Sequence, residues 1–352
     1  MGITGLLPIV KKILVNKHIR KYSNTRIAID GHAWIHQVIP TIATELYFGK
    51  PTDKHTKIFM NKINNLLDYG ITPVFVFDGD FLPSKEKTFV ERREQREKNK
   101  KAVELCLQKN ELVKARELMK RCVSVSPEVL VSILKILKIN KIEYIISPYE
   151  ADSQLHFLQL IKYVDYIMTE DSDLIIYGAD KILYKFSGTH VDEYDSKNLH
   201  LCKDVFFRDN ILDICILSGC DYLDSIKGVG LITAHKKLQE TGDVKGFVDY
   251  MISLGKTVPN NYLELFNNAR LAFIHHIVYN PITKKRQFLS NPAVAHDFLG
   301  TLEDLPYYFQ NNSFDRHFCP NDKPKNTICE NNDDNELMSP FNLESDILSP
   351  YF

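Results

Sequence analysis

Acidic side chains follow apolar runs at several places in this chain. Arg26–Asp30 (RIAID) ends in Asp30, and Pro73–Asp78 (PVFVFD) ends in Asp78. Glu143–Ile146 is followed by Glu150 and Asp152; Tyr166–Met168 is followed by Glu170, Asp171 and Asp173. Asp221 adds another acid in SGCDYLDSIKGVG. Each run has the length and β-branched or aromatic content of a buried strand. In an open parallel sheet, ligands bind beyond the carboxyl ends of the strands. Carboxylates gathered there repel one another and hold their protons unless cations bind among them. Hard oxygen donors suit Mg²⁺ or Mn²⁺, and a pair of such ions is a recurring device for cutting phosphodiesters. Taken singly, each acid could also be a helix N-cap or a loop residue.

The elements that must position these acids alternate. The spacing predicts helices over His32–Tyr47, Asp53–Tyr69 and Pro127–Ile139, interleaved with the strands. That pattern predicts an α/β fold, a mostly parallel central sheet with helices on both faces. Lys181–Phe186 reads as a further strand bearing Lys185, which could approach a phosphate. Asp209–Leu217 and Tyr262–Tyr279 read as helices. From Lys85 to Arg121 there are thirteen Lys/Arg and seven Glu, an excess of six positive charges. The segment from Ser84 to Arg121 lacks Gly and Pro and favours helix. It reads as a basic helical arm able to grip phosphates, or as a solvated, salt-bridged hairpin. Gly228-Val229-Gly230 opens a helix carrying Lys236 and Lys237. Glycine there lets backbone N–H groups approach a phosphate, a grip indifferent to base sequence.

Composition narrows the function classes. The net charge of −1 means that nucleic-acid binding would need local basic patches. Seven cysteines without a CxxC pair argue for reduced thiols, not for a disulfide framework or a zinc site. No apolar run reaches membrane-spanning length, and lysines interrupt the N-terminal apolar stretch too early for a signal peptide. From Asp315 to the end there are eight acidic and three basic side chains. Residues 311–352 therefore read as a disordered acidic tail. Its last residues place Leu348 three before the aromatic pair Tyr351 and Phe352, which suggests docking to a partner or back onto the fold.

MGITGLL, IAIDGHAWIH, PVFVFDGDFLPSK, SPYEADSQL, TEDSDLI and SGCDYLDSIKGVG together resemble the flap-endonuclease or XPG-type superfamily of structure-specific 5′ nucleases. YEADSQL, PTDKH, ILSGCDYL and the VPNNY–IVYNPITKK segment are most similar to its eukaryotic exonuclease 1 branch. The resemblance covers about residues 1–295. It implies an N-terminal nuclease region over about 1–99 and an internal region over about 138–230. It also implies a helical arch over about 84–121 and a helix–two-turn–helix over about 209–240.

The family's metal carboxylates match Asp30, Asp78, Glu150, Asp152, Asp171, Asp173 and Asp221. The resemblance makes Lys85 and Arg92 catalytic clamps on the scissile phosphate. It makes Gly2, His36, Arg96 and Lys185 DNA contacts alongside Gly228, Gly230, Lys236 and Lys237. Ser218, Ser225 and Val229 match the positions that hold a monovalent cation, K⁺ in this reading. His32 stands where relatives often carry an aromatic wedge. The implied activity is a nuclear, two-metal, Mg²⁺-dependent 5′→3′ exonuclease with 5′-flap endonuclease activity on nicked, 5′-recessed or flapped DNA, serving mismatch repair, end resection and recombination. A flap endonuclease proper and a catalytically dead DNA-binding scaffold are the alternatives. Leu348, Tyr351 and Phe352 resemble a sliding-clamp or mismatch-repair docking motif.

Overall fold

The computed structural model describes residues 2–294, 296–303 and 314–321. Its ten strands are β1 (Val15–His18), β2 (Arg26–Asp30), β3 (Thr72–Phe77), β4 (Glu143–Ile146), β5 (Tyr166–Met168), β6 (Lys181–Tyr184), β7 (His190–Asp195), β8 (Ile277–Asn280), β9 (Lys285–Phe288) and β10 (His317–Phe318). Eight form one sheet in the order β1-β7-β6-β5-β2-β3-β4-β10. The central five, β6 to β4, are parallel, and antiparallel strands flank them.

Alternation along each strand divides the core. Val74 and Val76 of β3 point into one apolar layer; Phe75 and Phe77 point into the other. Trp34, Phe59 and the helix Pro127–Ile139 fill the second layer. The first layer extends to the helices around Leu217 and Phe247. Strands buried on both faces are the expected state of a parallel sheet covered by helices.

The chain leaves β2 toward β3 and β4, then returns to the other side of β2 for β5 and β6. The order therefore reverses beside β2, where an open α/β sheet leaves a crevice at its carboxyl edge. Asp30 ends β2, and Asp78, Glu150, Asp152, Asp171 and Asp173 follow the carboxyl ends of β3, β4 and β5.

Helices follow the expected plan with informative departures. Three short or regular ones open the chain: α1 (Leu6–Val10), α2 (Gly31–Val38) and α3 (Ala43–Tyr47), then α4 (Lys54–Asp68). The helix expected over His32–Tyr47 breaks into a 3-10 turn at Ile39–Ile42, because Pro40 cannot donate inside a helix. The arm is a hairpin of α5 (Glu86–Gln108) and α6 (Leu112–Met119), turned at Asn110 with φ 58°. Val103, Cys106, Ala115 and Met119 form its own small core. Next come α7 (Pro127–Ile139), α8 (Ala151–Leu160) and α9 (Asp173–Ile176). The helix expected over Asp209–Leu217 is α11 (Ile211–Ser218), with a short α10 (Val205–Asp209) ahead of it. Beyond it lie α12 (Leu231–Thr241), α13 (Val244–Ser253) and α14 (Tyr262–Ile274).

The helix expected to reach Tyr279 ends at Ile274, and Ile277–Asn280 instead pairs with Lys285–Phe288 as a hairpin. The expectation of a disordered tail from residue 311 is corrected at 314–321. Phe314 and Arg316 are buried there, and β10 pairs with the edge strand β4. Leu348, Tyr351 and Phe352 lie outside the described residues. Among the described residues, no helix is long and apolar enough to cross a membrane.

Candidate metal and nucleic-acid site

The acids at the sheet edge are held by short-range hydrogen bonds. Asp30 caps α2, accepting from the Ala33 N–H at 2.8 Å and from the Thr169 hydroxyl at 3.0 Å. Asp78 accepts from the Ala151 N–H at 2.8 Å, which ties the end of β3 to the start of α8. Asp171 accepts from the Asp173 N–H at 3.0 Å, and Asp173 accepts from the Ile3 N–H at 2.9 Å. The chain's beginning thus lies against the cluster. A Cβ on Gly2, at φ +93°, would stand 2.2 Å from Asp171 Oδ1 and 2.8 Å from Asp173 Oδ1. Only glycine lets the backbone come so near the acids.

Burial and mutual repulsion set the electrostatics. Burial first, then Asp78, raises the Asp30 carboxyl to about 6. Burial and Asp171 raise Asp173 to about 7, with Asp221 adding to the effect. Burial, then Asp171, Asp30 and Asp173, push Asp152 well above the ordinary carboxylate range. These couplings join carboxylates from β2, β3, β5, α8 and the Asp221 loop in one field. Near a surface, two like charges about 4 Å apart repel by roughly 4 kcal/mol, so added positive charge would relieve the set.

Part of that charge is already supplied by the arm. The Lys85 ammonium lies 2.6 Å from Glu150 Oε1 and 3.1 Å from Asp221 Oδ2. Arg92 Nη2 stands 3.4 Å from the same Asp221 oxygen. Burial opposes ionisation of both members of the Lys85–Glu150 pair, but their attraction wins. Glu150 is held well below its usual range and Lys85 well above its own. The Thr88 hydroxyl donates to the Asp221 carbonyl at 3.1 Å, docking the base of α5 beside the cluster.

Several supporting groups were not singled out in the sequence. Tyr222 donates its hydroxyl to Glu150 and meets His276 Nε2 at 2.8 Å; His276 lies 3.3 Å from Glu150. Tyr222 adjoins Asp221, a signal that was available, whereas His276 sits in an apolar run with none. His32, matched to an aromatic wedge, instead accepts the Asp78 N–H at Nδ1, 3.1 Å away, and packs edge-on against Phe77.

The fit to cations rests on this donor set: hard oxygens, three of them with proton affinity raised by burial and mutual repulsion, with Lys85 standing in between two others. The ligand atoms are not drawn into a closed cage. Among the described residues, the ligand-type group within 4.8 Å is Glu143, His317 and Cys319, at the β4–β10 edge. There Glu143 is already engaged by Tyr163, by His317 at 3.0 Å and by Arg26 at 2.9 Å. That group is an internally neutralised ion network.

The remaining expected contacts separate into those near the cluster and those apart from it. His36 is close enough to feel Asp78 and Arg92, and burial, with His32, lowers its proton affinity. Arg96 lies one turn along α5 from Arg92 and feels its charge. Lys185 is not on the strand. It follows β6 at φ 54°, and its ammonium pairs with Asp192 at 2.9 Å.

The helix–two-turn–helix runs from α11 to α12. Gly219, at φ +100°, packs so closely on Ser225 that a Cβ would lie 3.2 Å from the Ser225 N, and the neighbouring Ser218 hydroxyl donates to the Cys215 carbonyl at 2.8 Å. Val229 is buried, and Gly228 takes φ +86°. Gly230 caps α12 and faces open space. Lys237 is engaged by Glu240 at 2.6 Å and lies over the Tyr250 ring; Lys236 is largely exposed.

Comparison with known proteins agrees with this geometry. The XPG N-terminal domain family matches residues 1–99, and the XPG I-region family matches residues 141–221. The chain is 35% identical over 295 residues to exonuclease 1 of Xenopus laevis, covering 81% of this chain and 40% of that protein. It is 30% identical over 307 residues to the DNA damage-inducible protein DIN7 of Saccharomyces cerevisiae, covering 83% of this chain and 69% of that one. Against the exonuclease 1 relatives it thus spans well under half of their length. Among solved structures it resembles the catalytic core of Rad2 in complex with DNA substrate. The TM-score is 0.59 at 23% identity, over 76% of this chain and 86% of that one. It also resembles GEN1 in complex with product DNA and a Mg²⁺ ion. Here the TM-score is 0.53 at 18% identity, over 80% of this chain and 66% of that one. These likenesses show the fold. The matched family regions and the sequence relatives establish that the chain belongs to the XPG family of 5′ nucleases, on the side that includes proteins named exonuclease 1.

Proposed function

We propose that this chain is a Mg²⁺-dependent 5′→3′ exonuclease on duplex DNA that also cuts 5′ flaps, acting in DNA repair in the nucleus. The observation that carries the reading is the convergence of the acids at the sheet's carboxyl edge, with Lys85 lodged between Glu150 and Asp221. The names of its relatives, exonuclease 1 and a DNA damage-inducible protein, support the same direction.

Asp30, Asp78, Glu150 and Asp152 would hold one ion, and Asp171, Asp173 and Asp221 a second, with Asp152 near both. Mn²⁺ suits the same donors. Bound there, the ions would activate water at neutral pH and stabilise charge on the phosphate and the leaving oxygen. The chain's own residues do the rest. Lys85 and Arg92 neutralise the scissile phosphate in the transition state, once cations replace them as partners of Glu150 and Asp221. Gly2 brings the start of the chain against Asp171 and Asp173, where it would meet the DNA beside the cut. Arg96, His36 and Lys185 meet the DNA backbone, and Gly228, Gly230, Lys236 and Lys237 grip the duplex away from the cut. Ser218, Ser225 and Val229 hold K⁺ at the turn, through backbone carbonyls.

The test is cleavage of end-labelled nicked, blunt, 5′-recessed and flapped DNA, and of RNA, with Mg²⁺ and with EDTA. Mononucleotides released from nicked duplex are expected. Products from long flaps alone would indicate a flap endonuclease proper. Tight DNA binding without any cleavage would indicate a scaffold.

A further inference from the structure

Two arginines far apart in sequence converge behind the acidic edge, on the turns that carry Asp78 and Glu150. Arg286 Nη2 lies 3.3 Å from Asp80 Oδ2, and Arg316 Nη2 lies 3.8 Å from the same oxygen. The two arginine side chains are only 2% and 5% exposed. Arg316 also donates from Nη1 to the Ser147 carbonyl at 2.8 Å and to the Ile146 carbonyl at 3.3 Å. Its backbone carbonyl accepts the Ile146 N–H at 2.7 Å, where β10 meets β4. One guanidinium therefore reaches both turns, by an ion pair to Asp80, two residues after Asp78, and by a hydrogen bond to Ser147, three before Glu150.

The turns are stitched to each other as well. The Gly79 N–H donates to the Tyr149 carbonyl at 2.7 Å and the Asp80 N–H to the Pro148 carbonyl at 3.0 Å. The approach is so close that a Cβ on Gly79 would stand 1.8 Å from the Ser147 carbonyl oxygen. Such an arrangement has little slack. A shift in the Asp80 turn would move Asp78 on one side and the base of the arm, with Lys85, on the other. Small displacements at a site of this kind cost rate heavily.

We propose that Arg316, with Arg286, is a positioning residue. Through Asp80 and the Ser147 carbonyl, it holds the turns bearing Asp78 and Glu150 at the spacing the cations require. A packing strap behind a sheet edge would need no charge. Arg286 donates to the half-exposed Asp80 carboxylate, while Arg316 faces the same oxygen as an ion pair and donates from Nη1 to the Ser147 carbonyl; buried and planar, these guanidinium groups specify direction as well as distance. The proposal rests on the nuclease reading for the chemistry, but the geometry it predicts can be read without DNA.

The experiment uses the full 352-residue chain carrying Arg316→Ala, Arg316→Lys, Asp80→Asn or His317→Ala. Mn²⁺ binding is measured by electron paramagnetic resonance without DNA. Single-turnover cleavage, DNA affinity and melting temperature are measured alongside. Arg316→Ala is expected to weaken Mn²⁺ binding about tenfold and to slow cleavage ten- to a hundredfold, with DNA affinity within about twofold. Lysine should recover part of both, because it can replace one of the contacts. Asp80→Asn keeps the shape without the charge and should repeat the loss, so it carries the test should Arg316→Ala fail to fold. His317→Ala loosens β10 at Glu143 instead, and should lower the melting temperature while sparing the rate.

Unchanged Mn²⁺ affinity and rate in a folded Arg316→Ala or Asp80→Asn protein would overturn the proposal. So would an equal loss in His317→Ala, which would assign the effect to strand packing. If the unsubstituted chain binds Mn²⁺ but cleaves nothing, the nuclease reading fails and the positioning role stands or falls on Mn²⁺ affinity alone. If it does not bind Mn²⁺ at all, both fall.

Discussion

At the carboxyl edge of the parallel sheet, charge is carried by side chains that rigid strands force together. Asp30, Asp152 and Asp173 are held against their own repulsion, each with its carboxyl raised. At the helix–two-turn–helix, the features on offer are backbone groups around Gly228 and Gly230, facing solvent, with Lys236 exposed alongside. The difference teaches what each region can do. Crowded like charges in a low-dielectric crevice store a demand for specific cations. Exposed amides and a solvated lysine offer only a weak, salt-screened hold on any phosphate. In the proposed reading, chemistry belongs to the first region and grip to the second.

The sharpest way to break that division is Asp173→Ala. It should cut the cleavage rate by about a thousandfold or more while DNA affinity changes by no more than a few-fold. Near-normal turnover in saturating Mg²⁺ would remove the metal centre from the argument. Arg92 stands on the boundary, an exposed arm residue reaching Asp221. Arg92→Ala should slow single-turnover cleavage by about a hundredfold with little effect on binding; a change in affinity alone would place the arm with the gripping regions.

The stored charge should also appear in stability. Asp30 and Asp173 titrate at about 6 and about 7 in the folded protein, against 3.8 for the ordinary group. The folded state therefore binds more protons than the unfolded chain between about pH 4 and pH 7, and stability falls as pH rises through that window. In EDTA the protein should melt several degrees lower at about pH 8 than at about pH 5.5. Mg²⁺ should narrow the gap and release protons on binding. A melting temperature indifferent to both pH and Mg²⁺ would contradict the crowded-acid account.

Effects at the grip should be smaller. Since a Cβ at Gly230 meets nothing within the protein, Gly230→Val should leave the melting temperature unchanged. It should weaken duplex binding by about tenfold, because the branch keeps phosphate from the helix N-terminus. Unaltered duplex affinity would mean that the turn does not touch DNA. Smallest of all, Lys236→Ala should reduce the dependence of log affinity on log salt by about one unit and leave the rate at saturating DNA untouched.

The core elements were legible because their local and tertiary requirements agree. RIAID and PVFVFD are strands in any parallel sheet, and an acid at their ends announces the edge where it will lie. Pro40 was a readable break that the apolar spacing around it obscured. The β8–β9 hairpin was hidden because Ile277–Asn280 continues the apolar run of α14, and periodicity alone does not separate the two states over so short a stretch. β10 was hidden for another reason. HF within an acidic, polar stretch has no strand signal of its own and becomes a strand because the β4 edge needs a partner.

By itself, the sequence determined which residues carry charge, where the buried strands run, and that the acids follow strand ends. Those facts depend on side-chain chemistry and on periods of two and 3.6 residues, which are local. Tertiary structure alone decided which acids face one another, that Lys85 from the arm sits between Glu150 and Asp221, and that His276 and Tyr222 support Glu150. It also decided that Arg286 and Arg316 reach Asp80 from more than two hundred positions away. Contacts of that kind are set by strand order and by the packing of distant segments, and side-chain period carries no information about either.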